Sequence, residues 1–484
     1  MIALTLDQLR EATGADLVGG ADTLVVDGTV TTDSRECRPG SLYVARRGEH
    51  ADGHDYAPAA VAAGAVAVLG ERPLEGIPTL VTDDVQTAFG RIARAVVDHA
   101  PDLTIVGITG SSGKTTVKDL MATVLATAAP TVAPVNSFNG EIGVPLTVCR
   151  ITPHTRYLVA EMGARGLGHL EYLTRIAPPQ IAVVLNVGAA HVGEFGSVEN
   201  IAIAKAELPQ AVPATGLAVL NRDDARVSAM AEGLAARVVF VGEHPDSDLR
   251  AVDVTLDARG RASYTLQGAA REVRVRLAQP GRHQVGNSLA VLAVALELGL
   301  ELDEVVDTLA IAGPVSRWRM EVTERADGVT IVNDACNANP DSMEAALAAL
   351  AAMDVSGRRI AALGGMLELG DTSPAQHRQV GERAHAHGID LLVGVGELAR
   401  DLVAGYDAAG GVRSVWVPDI DAGFDLLQGE LVPGDSVVLK SSRDSGLRWL
   451  GDRLASVGGG PDDRVGENDA AVDVPDPTPE GPAR

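Results

Sequence analysis

The stretch Leu103–Met121, LTIVGITGSSGKTTVKDLM, restricts the fold more than any other part of this 484-residue chain. Its apolar, β-branched start predicts a strand; a Gly/Ser loop follows, and a helix is expected to run to about Ala128. A loop of that kind turns consecutive backbone N–H groups inward, and the helix behind it presents its positive end, so the pair cradles phosphate. Lys114 adds a point charge for the β- and γ-phosphates, and the Thr115 hydroxyl can reach a magnesium ion. The spacing departs from the general P-loop: Gly113-Lys-Thr is in place, but Ile108 stands where the earlier glycine is expected, with Gly107 and Gly110 nearby. The intact Gly-Lys-Thr decides for a nucleotide site on an α/β sheet.

That length allows about three domains. A hydrophobic content of 46% with only 3% aromatics suits α/β layers built from Ala, Val, Leu and Ile. The formal net charge of −25 argues against nucleic acid or an anionic membrane as partner. Cys37, Cys149 and Cys336 are widely spaced and odd in number, which excludes a disulfide framework and a cysteine zinc site and fits a reducing cytoplasm. The first ten residues lack a basic region followed by an apolar core, and no apolar run approaches membrane-spanning length. A soluble, cytoplasmic protein is expected, acting as a monomer. Of the 40 basic residues only Lys114, Lys118, Lys205 and Lys440 are lysine. They are candidates for chemistry that a guanidinium cannot perform, with Lys118 the one most readily assigned to a solvated surface.

Residues 1–98 read as a small α/β domain. Asp33-Ser-Arg and Asp52-Gly-His are polar turns, and an Ala-rich helix is expected over 56–67. Residues 99–313 form the central domain, whose strands are expected to end on Glu161 and Asn186, where open α/β sheets bind ligands; His191 lies just beyond. Lys205 follows on a helix, and as an ordinary ammonium it should avoid a magnesium site. Asn221-Arg-Asp-Asp loosely resembles a guanine reader and supports a rival reading, a guanine-nucleotide switch. Residues 247–278 alternate as a β-ribbon, and Gly281-Arg-His-Gln-Val-Gly-Asn opens an Ala-rich helix. A break at Gly313-Pro314 starts a third, Rossmann-like α/β domain over 314–457, without the dinucleotide fingerprint. Residues 458–484 read as a disordered acidic tail.

These motifs resemble those of the ATP-dependent Mur ligases of peptidoglycan synthesis, over about residues 10–455. The loop Thr109–Thr116 has the family's own spacing, and Gly281–Asn287 resembles its second ATP motif. Asn139-Gly-Glu-Ile-Gly-Val-Pro, Asn333-Asp-Ala-Cys-Asn-Ala-Asn-Pro and Gly365-Met-Leu-Glu-Leu-Gly resemble the branch that joins D-alanyl-D-alanine to UDP-N-acetylmuramoyl-tripeptide. The alternative within the family is a branch that adds a different amino acid.

The resemblance implies a first domain for the uridine nucleotide, with Ser34 and Arg35 at the uracil end and Asp52, Gly53 and His54 along the same groove. It implies that Gly110, Ser111, Ser112, Gly113, Lys114, Thr115 and Thr116 hold ATP, joined by Asn287 at the adenine and by Arg319 and Asp334 from the third domain. Thr115 and Glu161 would hold one Mg2+ and His191 and Lys205 a second, with Lys205 carbamylated. Lys114, Glu161, His191 and Lys205 would carry catalysis, and Asn139, Asn337 and Asn339 would meet substrate. Gly140, Cys336, Gly365 and Ser441 depart from the family's usual Asn, Tyr, Asp and Gly; Cys336 removes a ring expected near the adenine.

Overall fold

The computed structural model describes residues 1–48, 51–188 and 192–457; His191 and the expected tail lie outside them. Three larger sheets occupy consecutive stretches of chain, so the fold is three α/β units in series. In the first unit five strands run in the order Asp16–Val18, Thr79–Val81, Ala65–Gly70, Ser41–Val44, Val30–Thr31. The expected helix over 56–67 is shorter than its composition suggests. It spans Ala57–Ala62, and Ala65–Gly70 is a strand. Gly64 turns the chain at φ +114°, and the strand after it pairs on both sides and is buried. Cross-strand partners and burial outweigh alanine's helix preference there.

The central sheet has nine strands in the order Val273–Pro280, Arg261–Gln267, Leu249–Leu256, Arg237–Gly242, Leu217–Asn221, Ile181–Val184, Thr104–Thr109, Tyr157–Glu161, Thr131–Val132. The pairings from Thr131 through Leu249 are parallel, and the expected β-ribbon closes the edge as an antiparallel meander. Thr104–Thr109 lies between Tyr157–Glu161 and Ile181–Val184, strands that leave it in opposite directions. The phosphate-type loop thus springs from the switch point of the sheet, where a crevice opens at the carboxyl ends. Register aligns those ends: Glu161 pairs with Ile108 and Val184 with Thr109. The helix Gln284–Glu297 packs on the loop's helix, Lys114–Ala126, through a core of Val, Leu and Ala.

In the third unit the order is Glu321–Glu324, Thr330–Asn333, Ser436–Lys440, Arg359–Leu363, Leu391–Val395, Ser414–Val417, parallel but for the first pair. Lys440 and Asp334 both leave the carboxyl ends of its inner strands, on the side facing the central crevice.

Candidate active site

The site grows from the turn after Thr109. Gly113 sits at φ +81° where the loop meets its helix, a left-handed conformation that side chains rarely adopt. A Cβ there would lie 2.8 Å from Asn287 Oδ1, so the second ATP-type motif touches the loop at its tightest point. The Lys114 ammonium folds back to donate to the Gly110 carbonyl at 2.8 Å. Burial holds its pKa below the ordinary lysine value; Glu161 works against that and Arg319 adds to it. A cation enclosed in a loop of inward N–H groups is built for a polyanion.

Thr115 and Glu161 are joined by a residue that sequence reasoning missed. Ser137 Oγ lies 3.2 Å from Thr115 Oγ1 and donates to Glu161 Oε1 at 2.7 Å, where Asn139 Nδ2 also donates at 2.7 Å. Glu161 is 1% exposed, yet its Oε2 has no hydrogen-bond partner. An ionised carboxylate in that position is costly unless a cation faces it. The orphaned oxygen, with the Thr115 hydroxyl nearby, therefore fits a magnesium ion held jointly with phosphate oxygens. Among the described residues no three His, Cys, Asp or Glu converge as a self-sufficient metal site.

Lys205, on the helix Val198–Gln210, is 4% exposed, and its amine makes no hydrogen bond to the described residues. Burial, then the nearby Lys114 charge, pushes its pKa well below the ordinary lysine value, which disfavours the ammonium relative to the free amine.

A cavity of about 490 Å³ adjoins the loop, lined by Ser112, Gly113, Thr116, Asn186, Asn287, Arg319, Asp334 and Lys440 among others. The third unit reaches it through two crossings. Arg319 Nη2 donates to Thr115 Oγ1 at 3.2 Å, and Asn339 Nδ2 donates to the Ser111 carbonyl at 3.3 Å. Arg319 Nε is buried and unpartnered. Asp334 is tied on both oxygens, to the Met320 N–H at 3.0 Å and to Lys440 Nζ at 2.6 Å. Lys440 was marked only by its rarity as a lysine; its partner identifies it as the post that holds Asp334. Asn339 also caps the helix Pro340–Ala351, whereas Asn337 is exposed.

Asn221 and Asp223, the residues behind the guanine reading, line the same cavity. They are already engaged: Asn221 donates to the Leu185 carbonyl, and both Asp223 oxygens accept from the Glu243 N–H, one of them from His244 as well. Asp224 caps a helix and accepts from Val187. They build a turn and offer no free edge to a base.

In the first unit the expected groove residues sit in two capped turns. Asp33 caps Ser34–Glu36 and grips the Arg35 guanidinium, which is otherwise exposed. Asp52 caps Gly53–Tyr56 and binds Arg72 at 2.8 Å and His54 Nδ1 at 2.5 Å. His54 is buried, and its Nε2 accepts from the Glu71 N–H. The His54 N–H and ring together with Arg72 hold the Asp52 carboxyl well below the usual range. Gly53 is confined by sterics, since a Cβ would lie 2.5 Å from the Arg46 carbonyl oxygen.

Lys118 corrects an expectation. It is 2% exposed, buried one helical turn past Lys114 and paired with Asp119.

Residues 28–106 match the family model described as "Mur ligase family, catalytic domain", 108–295 the "Mur ligase middle domain", and 318–443 the "Mur ligase, glutamate ligase domain". The chain is 45% identical over 508 residues to the UDP-N-acetylmuramoyl-tripeptide--D-alanyl-D-alanine ligase of Mycobacterium tuberculosis, covering 94% of this chain and 98% of that protein. The Escherichia coli ligase of the same name is 38% identical over 400 residues, 82% of this chain and 87% of that one. Among solved structures, MurF from Acinetobacter baumannii superposes with a TM-score of 0.84 at 28% identity, covering 94% of this chain and 99% of that one. MurF ligase from Thermotoga maritima, in complex with ADP, gives 0.78 at 27% identity over 89% and 98%.

Proposed function

Because this chain belongs to the Mur ligase family, we infer that it is an ATP-dependent ligase adding D-alanyl-D-alanine to UDP-N-acetylmuramoyl-tripeptide, releasing ADP and phosphate. The observation that carries the reading within the site is the meeting of Lys114, the unpartnered Glu161 oxygen and the crossing Arg319 at one loop. That is a receptacle for a triphosphate placed where a second domain can deliver an amine.

Joining a carboxylate to an amine is uphill in water, so the carboxylate is activated first. The tripeptide's terminal carboxylate attacks the γ-phosphorus in line, the bond to ADP breaks, and an acyl phosphate forms. The neutral amine of the dipeptide then adds to the carbonyl carbon, and the tetrahedral adduct expels phosphate as it collapses to the amide. Phosphoryl transfer of this kind rests on positioning and charge neutralisation. Lys114 and the loop N–H groups hold the phosphates, Arg319 turns from Thr115 to the nucleotide, and Asp334, held by Lys440, takes its place at the cavity wall. Thr115 and Glu161 would hold a magnesium ion, whose charge would lower the repulsion between the two anions that must meet.

Lys205 supplies a second anionic ligand once carbamylated. Burial disfavours its ammonium; the neutral amine would add to carbon dioxide and release one proton, so that a cation a metal site would repel becomes an oxygen donor. Arginine cannot do this, which accounts for a lysine in so arginine-biased a chain. His191 is assigned beside it. In the first domain Ser34 and Arg35 take the uracil end, with the Asp52–His54 turn setting the groove wall. The enzyme is read as a cytoplasmic monomer. No helix among the described residues is long and apolar enough to cross a membrane. Domains divide at 98/99 and 313/314.

Phosphate release from ATP and from GTP, with D-alanyl-D-alanine and single amino acids offered beside the UDP-muramoyl tripeptide, tests the assignment. The expected result is release with ATP and the dipeptide. Equal rates with GTP, or preference for a single amino acid, contradict it.

A further inference from the structure

The linker between the second and third domains is bolted from both sides at adjacent residues. On the central side, Asp119 Oδ2 accepts the Ser316 N–H at 2.9 Å and Lys118 Nζ donates to Ser316 Oγ at 3.1 Å. Lys118 also donates to the Pro134 carbonyl at 3.1 Å and pairs with Asp119. An ammonium has three protons, and these acceptors use all three. A guanidinium's five could not be satisfied in so dry a place. The site thus calls for lysine in a chain that otherwise uses arginine. Both charges sit on the helix that starts at Lys114, one turn beyond the phosphate loop.

On the other side the next two residues belong to the third domain. Asp452, on the helix Leu447–Ala455, accepts from Arg317 Nη2 at 2.8 Å, from the Trp318 indole at 3.0 Å and from Asn333 Nδ2 at 3.2 Å. Trp318 also packs edge-on against Trp449, with ring centroids 5.2 Å apart. Trp318 and Met320 both hold left-handed backbone, at φ +58° and +50°, and between them Arg319 projects to Thr115. Two non-glycine residues in that region persist only where the surroundings hold them. Ser316 is buried while Val315 before it is 69% exposed, so the bolt is local to one residue.

We propose that Lys118 and Asp119 are positioning residues: by holding Ser316 they tie the linker on which the third domain turns to the phosphate-loop helix. They sit one turn along the helix from the loop, where they register the third domain, and with it Arg319, against the nucleotide. They set the closed geometry and leave nucleotide affinity to the loop.

The test uses the full chain with Ser316→Ala, which trims one hydroxyl, and Lys118→Met. Spin labels at Glu232→Cys and Val412→Cys, exposed positions in the second and third domains, report the distance between them. The pivot predicts a broadened interdomain distance in both variants. It also predicts kcat lowered roughly tenfold or more by the misplacement, with KM for ATP within about twofold. The double variant should be no worse than Lys118→Met alone, since both cut one contact. An unchanged distance distribution overturns the proposal, as does a raised KM for ATP at unchanged kcat. The kinetic arm rests on the ligase reading and the distance arm does not, so an inactive parent leaves the pivot decidable. Should Lys118→Met fail to fold, Ser316→Ala alone decides by the same two readouts.

Discussion

The phosphate loop and the turns of the first domain are both polar, glycine-bearing and rich in charge, yet they differ in what they leave unfinished. In these two turns each capping carboxylate has found a partner: Asp33 with Arg35, and Asp52 with His54 and Arg72. Around the loop the polar groups are enclosed and incomplete. Among the described residues Glu161 Oε2 and Arg319 Nε have no partner, and Lys205 is a buried amine. Burying an unsatisfied charge costs stability that satisfied turns do not give up. Groups left in that state suit a ligand, and the proposed function puts the remaking of bonds at the loop and the grip on the sugar nucleotide at the turns. Substitutions in the two regions should move activity and stability in opposite senses.

The largest effect is expected at Lys114. Lys114→Ala should lower kcat/KM by roughly 10³-fold or more, as loss of a cation at a transferring phosphoryl group does, with Tm unchanged or higher. Glu161→Gln should cost about 10²–10³-fold in kcat while raising Tm in magnesium-free buffer, because a buried carboxylate with one unpartnered oxygen becomes neutral. A fall in Tm as large as that of a core substitution would erase the contrast between the two regions.

Lys205 sharpens it through pH. The folded state disfavours the Lys205 ammonium, so between the depressed folded pKa and the ordinary lysine value the unfolded chain binds more protons. Stability rises with pH across that window and falls as pH drops. Lys205→Met removes the penalty, and in CO₂-depleted buffer its Tm advantage over the parent should widen as the pH is lowered. Lys205→Ala should be nearly inactive and regain activity with added short-chain carboxylates. Full activity in Lys205→Arg would contradict the carbamate assignment.

The smallest effect belongs to the first domain. Asp52→Asn weakens hydrogen bonds to a charged acceptor and should lower stability by about 1–2 kcal/mol while raising KM for the UDP-muramoyl peptide, with kcat at saturation little changed. The Asp52 carboxyl titrates below its unfolded value, so its contribution is present at neutral pH and lost only as pH falls through the acid range.

Local patterns are what made most of this readable from the sequence. The strand, loop and helix at 104–126, the meander at 249–280 and the strand end at Glu161 follow from periodicity and turn chemistry over a dozen residues. What escaped depends on distance along the chain. Ser137 is one serine in a polar loop until the sheet brings Glu161 beside it. Lys118 looked solvated because its partner Ser316 lies 198 residues away. The helix over 56–67 failed for the same reason, since strand partners on both sides decided the conformation of 65–70. Gly365 meets tertiary sterics too: a Cβ would lie 2.8 Å from Leu398 Cδ1, so the family's usual Asp would require the exposed Leu398 side chain to move, while Gly140 has open space.

The central claim is that a peptide carboxylate is activated at the γ-phosphate in the loop, and oxygen tracing tests it directly. With UDP-muramoyl tripeptide carrying ¹⁸O in its terminal carboxylate, turnover with ATP and D-alanyl-D-alanine should yield phosphate bearing one labelled oxygen per amide formed. Phosphate released without label, alongside amide product, would contradict the acyl phosphate.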